Sequence, residues 1–148
     1  MDLKVKMTTP KKVIRAQIVD AVNKYRHLLI RQLFVVGEKC VNDARLLGSY
    51  TDRTHNLRSS IGYGVIDNGN IVTVAGFNQI EDAKDGPRKG REYLDALLKE
   101  NRVNGPTLIV VAGMNYAKYV ADKGYNVLDS AEMLAEKLVK ELQMKIGQ

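Results

Sequence analysis

Between Thr51 and Ser60 the chain reads TDRTHNLRSS. A hydroxyl nucleophile (Ser59 or Ser60), an imidazole (His55) and a carboxylate (Asp52) thus fall close together. These are the residue types of serine hydrolysis, in which imidazole takes the hydroxyl proton and a carboxylate orients the imidazole. The spacing argues against that chemistry. The segment reads as one strand entry, where successive side chains point to opposite faces, so neighbours in sequence do not converge on one substrate atom. The G-x-S-x-G elbow is also absent. Thr51, Asp52 and Thr54 read instead as turn formers whose oxygens take up loose backbone N–H groups. Arg58 can reach a carboxylate in the same subunit or in a neighbour. The stretch is predicted to be a polar joint between a helix and a sheet, with no catalytic residue.

Other chemistry fares no better. Cys40 with His27 or His55 would make a thiol–imidazole pair, but Cys40 falls on an apolar helical stripe, where a small buried hydrophobe is expected. Two histidines and one cysteine, with no H-x-x-H or C-x-x-C spacing, predict no metal site. Neither a P-loop nor a G-x-G-x-x-G turn is present, and no cofactor is expected. The segment DGPRKGR, with Lys84 just before it, offers Arg88, Lys89 and Arg91 on a glycine-containing loop. Such a loop can neutralise phosphates without reading bases, or be a solvated loop balanced by Glu81, Asp82 and Asp85. Lys84, Arg88, Lys89 and Arg91 are the candidate DNA contacts.

At 148 residues the chain has the size of one domain, and its composition is that of a soluble globular protein. MDLKVKMTTPKK carries charge without an apolar block behind it, which argues against a secretory leader. The single cysteine fits a reducing compartment. The net charge of +6 is unevenly spread. Residues 1–60 carry twelve Lys/Arg against five Asp/Glu, and residues 61–148 carry eleven against twelve. A basic part of one subunit could meet nucleic acid, or dock on an acidic part of the next copy.

The elements follow from periodicity. Residues 1–10 are predicted to be a flexible arm and 11–148 a single α+β domain. From Ile14 through Ile18, Val22, Tyr25, Leu29, Leu33, Val36, Cys40 and Ala44 to Leu47, apolar residues recur every three or four positions, the mark of one helical stripe. An unbroken helix over 11–47 would be about 55 Å long, whereas a compact domain of this size has a radius of gyration of about 15 Å. Either the helix breaks, with Gly37 the best candidate, or its first half projects and packs on something outside the domain. SIGYGVID and IVTVAGF around Asn68-Gly69 predict a β-hairpin. Residues 78–91 read as a loop, REYLDALLKEN as a short helix, and TLIVVAGM as an interior strand. A short helix at NYAKYVADKG precedes a last helix opened by a capping box of Asp129 and Glu132. The expected fold is α+β, with a long N-terminal amphipathic helix, a small mostly antiparallel sheet built on the hairpin, and C-terminal helices.

The long helix leads into GSYTDRTHNLRSSIGYGVI, and VVAGMNYAKYVADKGYNVLDSAEMLAEKL follows later. In this the chain resembles the tail-component family of long-tailed bacteriophages and prophages, the small morphogenesis proteins of the neck and of tail completion. The resemblance spans roughly residues 12–146. It rests on Leu57, Ser59, Ser60 and Ile61 at the start of the sheet, and on Tyr116, Ala117, Tyr119, Val120 and Gly124 before the last helix. Where the family has Glu after its Y-V pair, this chain has Ala121-Asp122.

The resemblance implies a non-enzymatic virion protein, assembled in the host bacterial cytoplasm. It would form a homo-oligomeric ring at the neck or upper tail end that helps join head to tail, against other neck, connector and tail-tube proteins. Candidate subunit contacts are then Ile18, Val22, Tyr25, Leu29, Arg58, Tyr116 and Tyr119, with non-specific contact to DNA in the lumen and none to a membrane. The alternative is a basic nucleic-acid-binding module using the N-terminal helix, which predicts strongly salt-dependent DNA affinity.

Overall fold

The structure, a computed structural model, describes residues 11–100 and 104–146; side chains at 11–18 and 146 lie outside it. The elements are α1 (Lys11–Leu47), α2 (Asn56–Ser59), β1 (Ile61–Asp67), β2 (Asn70–Gly76), α3 (Gly86–Glu100), β3 (Pro106–Ala112), α4 (Ala117–Asp122) and α5 (Asp129–Ile146). This is the expected α+β order with one addition, the single turn α2. The predicted arm over 1–10 lies outside the described residues.

The sheet is antiparallel throughout, with strand order β2-β1-β3. Asn68 and Gly69 both take positive φ in the hairpin turn, as an Asn-Gly connection requires. Ile61, Tyr63 and Val65 alternate onto one face of β1. There they meet Leu33, Val36, Cys40, Val41 and Ala44 of α1 and Ala131 of α5 in the main core. Gly64 lies on the opposite face, against Leu94 of α3. β1 is therefore covered on both sides and is buried from Ile61 to Ile66. Below the sheet, Tyr50, Leu57, Met114, Ala117 and Val127 form a second cluster beneath α4.

Three expectations are corrected. First, α1 is continuous over 37 residues and does not break at Gly37, which sits inside it against the Tyr63 ring. Second, β3 is an edge strand and not an interior one. Its apolar run reflects helices on both faces: Leu108, Val110 and Ala112 face the α1 core, and α3 packs across the other side. A strand buried on two faces reads as continuously apolar whether or not it has two neighbours.

Third, the loop over 78–91 ends at Asp85, because DGPRKGR opens α3. Pro87 is tolerated in a first helical turn. The Asn56 side-chain oxygen accepts from the N–H groups of Asp85 and Gly86, at 3.1 and 3.0 Å, satisfying amides that a helix start leaves open. Gly90 faces Gly113 so closely that a Cβ at 113 would meet Gly90 Cα. Gly90 is what lets α3 lie down on the end of β3.

α5 runs back along α1. Cys40 Sγ lies 3.5 Å from the Ala131 carbonyl near the start of α5, and Leu142 and Lys145 near its end lie beside Tyr25, Leu28, Leu29 and Gln32. The start of α5 is capped by Asn126, whose side-chain oxygen accepts from Ser130 N at 3.1 Å, rather than by Asp129. Among the described residues no helix is long and apolar enough to cross a membrane.

Candidate assembly surface

The 51–60 segment is the joint that its composition suggests, although it enters the sheet through a helical turn rather than an extended strand. His55, in the left-handed region at φ 59°, precedes α2. Both carboxylate oxygens of Asp52 accept backbone amides, from Leu57 at 3.3 Å and Arg58 at 2.8 Å. The Ser59 hydroxyl donates to the His55 carbonyl at 2.6 Å and accepts from Ile80 N at 3.1 Å. Ser60 donates to the Leu57 carbonyl at 2.6 Å. Each hydroxyl and the carboxylate are thus bonded to main chain, and the imidazole faces Glu81 at 3.0 Å. These bonds hold a corner together; they do not align a nucleophile with a base.

Arg58, expected at a subunit contact, is committed to the same corner. Its Nη2 donates to the carbonyls of Gly48 and Tyr50 at 3.1 and 3.4 Å, and its guanidinium lies 4.6 Å from the centre of the Tyr50 ring. Burial pushes the Tyr50 hydroxyl up to about 12, against the opposing pull of Arg58. A guanidinium whose donors and ring stacking are taken up by Gly48 and Tyr50 of its own chain is not a free handle for a neighbour.

The basic group Lys84, Arg88, Lys89 and Arg91 is also rearranged. Only Lys84 stays on the loop; the other three lie on the first turns of α3. Arg88 pairs with Asp85 and Glu92 at 3.2 and 3.1 Å, and Arg91 with Asp95 at 3.4 Å. The neighbouring carboxylates raise the Arg88 guanidinium, Glu92 first. Two of the four cations are thereby neutralised locally, which leaves little field for a phosphate backbone.

One trio, His55, Glu81 and Asp82, places potential ligand atoms within 4.8 Å of one another, with both carboxylates exposed. Sequence spacing does not suggest it because the loop after β2 carries Glu81 back to His55. Among the described residues it is a surface contact between an imidazole and a carboxylate, with a second carboxylate beside it.

The most unusual surface is the first half of α1. Val22 is 56% exposed and Tyr25 49%, while Val19 and Leu28 are similarly open. Leu29 is half-buried against the end of α5, and the Ile18 side chain lies outside the described residues. Burial begins in earnest at Leu33. On the flank away from Leu29 and Gln32, α1 and the hairpin enclose a cleft of about 740 Å³. Its floor is Leu28, Ile30, Phe34, Val65 and Thr73, and its rim is Lys24, His27 and Arg31. Sequence reasoning missed the cleft. Its signal was present in Leu28 and Phe34, apolar residues beside the stripe that make it wider than one seam. Tyr116 and Tyr119, the remaining expected contacts, lie around α4 far along the chain from α1, both exposed, with Lys123 Nζ 5.1 Å from the Tyr119 ring centre.

Comparison with family models, curated proteins and solved structures found no match to this chain.

Proposed function

We propose that the protein is a structural subunit of a tailed phage or prophage, forming a ring at the neck or upper tail end that helps join head to tail. One observation supports the reading above the others: the first half of α1 leaves Val19, Val22, Tyr25 and Leu28 open to solvent on a continuous helix. An apolar strip of that kind on a folded domain marks a surface meant to be covered. The edge strands β2 and β3 add main-chain groups that a neighbour can engage. In this reading the chain works in the virion beside other neck, connector and tail-tube proteins, and performs no turnover.

Mass measurement of the purified protein over a concentration series tests it. A discrete ring supports the assignment. A monomer at every concentration overturns it, and if that monomer also binds DNA with steep salt dependence, the basic nucleic-acid module takes its place.

A further inference from the structure

We infer that the cleft between the first half of α1 and the hairpin receives the opening turns of α5 from a second copy of this chain. The inference rests on the ring reading above and names its contact.

The argument begins with charge. The cleft has an apolar floor and a rim of Lys24, His27 and Arg31, and no carboxylate lines it. Among the described residues Lys24 and Arg31 enter no ion pair, whereas the nearby Arg26 is held by Asp67 at 2.7 Å and Arg88 and Arg91 of α3 are paired with Asp85, Glu92 and Asp95. Asp129, Glu132 and Glu136 are exposed on α5. They too enter no ion pair among the described residues. The chain pairs both arginines of α3 internally and leaves these two sets open.

The spacing matches as well. Lys24, His27 and Arg31 follow the pattern i, i+3, i+7, and so do Asp129, Glu132 and Glu136. Both patterns mark one face of a helix over two turns, about 10 Å. Laid parallel, the two helices bring Lys24 to Asp129, His27 to Glu132 and Arg31 to Glu136 in one register. The antiparallel arrangement would need i, i+4, i+7.

The apolar partner is on the same face. Met133, between Glu132 and Glu136, is 72% exposed, and a flexible thioether fills irregular apolar space readily. Leu28 and Phe34 lie open in the cleft to meet it. Because cleft and α5 start are different patches of one chain, the contact is heterologous, the kind that builds a ring when the rotation between copies closes.

Charge reversal tests it. Lys24→Glu with Arg31→Glu makes one variant, and Asp129→Lys with Glu136→Lys the other. Each is expected to fold with wild-type circular dichroism yet to need at least tenfold more protein to assemble. Mixed together they are expected to co-assemble at wild-type concentrations, since alternating copies present only opposite charges. Independently, Arg31→Cys with Glu136→Cys in one chain should give a ladder of disulfide-linked multimers on oxidation, Cys40 being buried. If wild type forms rings but both reversed variants assemble normally, or mixing restores nothing and no ladder forms, this contact is wrong and the ring reading stands. If wild type stays monomeric throughout, both fall.

Discussion

Arg45 and Arg58 hold each other's backbone: Arg45 Nε donates to the Arg58 carbonyl at 3.3 Å, and Arg58 Nε donates to the Arg45 carbonyl at 3.2 Å. Arg45 also reaches the Ile61 carbonyl at 3.0 Å. The end of α1, the joint and the first residue of β1 are thereby tied into one corner. Burial lowers the Arg45 guanidinium from its ordinary range, consistent with donors aimed at main-chain oxygens within the protein.

Arg58→Ala leaves several partly buried carbonyls without donors and should destabilise the fold by about 2–4 kcal/mol. Arg58→Lys should recover less than half of that, because an ammonium cannot serve three separated carbonyls or stack on Tyr50. Urea midpoints of the two variants check this. Equal stability of Lys and wild type would show that charge alone, not the planar fork, holds the corner.

Gly37 is the second packing point. A Cβ there would fall 2.5 Å from Tyr63 Cδ2, in a ring that is fully buried and edge-on to Phe34 at 6.0 Å. Gly37→Ala in an exposed helix would gain about 1 kcal/mol. Here overpacking should prevail, with a net loss on the order of 1–2 kcal/mol, read as a lower melting midpoint.

Stability should fall in alkali. The Tyr50 hydroxyl is pushed up to about 12, chiefly by burial, and Tyr63 is raised further by burial and by its hydrogen bond to Glu38 at 2.8 Å. Groups with raised folded values stabilise fully below the ordinary tyrosine value of about 10 and lose that contribution as pH rises through the folded one. Urea unfolding should therefore weaken between about pH 10 and 12, by on the order of 2 kcal/mol from Tyr50. Tyr63→Phe should flatten the decline while losing about 1 kcal/mol at pH 8 with the Glu38 bond. A pH-independent midpoint up to pH 12 would contradict both assignments.

Val22→Asp and Leu29→Asp should separate assembly from folding. Val22 is solvent-exposed, so its replacement should leave the melting midpoint near wild type and abolish the ring. Leu29 packs beside α5, so its replacement should lower stability by about 1–2 kcal/mol as well. Size-exclusion profiles beside thermal melts distinguish the two. A Val22→Asp protein that assembles normally removes the exposed strip at Val19 and Val22 from the interface.

Arg88→Ala with Lys89→Ala should leave the melting midpoint unchanged, since the Arg88 pairs are exposed surface pairs. If the proposed virion role holds, any defect should appear in DNA retention or particle completion, scored by electron microscopy of lysates.

The sequence alone determined the elements whose signals are local. Period-3.6 spacing from Ile18 to Leu47, Asn68-Gly69 between alternating runs, and Cys40 on the apolar stripe each state a short-range preference that the fold obeys. It also indicated that Thr51–Ser60 is a joint, with Thr51, Asp52 and Thr54 as turn formers, although the oxygens that take up amides there are those of Asp52 and Ser59. Tertiary structure decided what depends on partners far along the chain. Gly37 looked like a breaker until Tyr63 came against it, 78–91 looked like a loop until Gly90 lay against Gly113, and β3 looked interior because helices cover both its faces. The cleft beside Lys24 and Arg31 exists only once the hairpin lies against α1, since a cavity belongs to two surfaces and neither one encodes it.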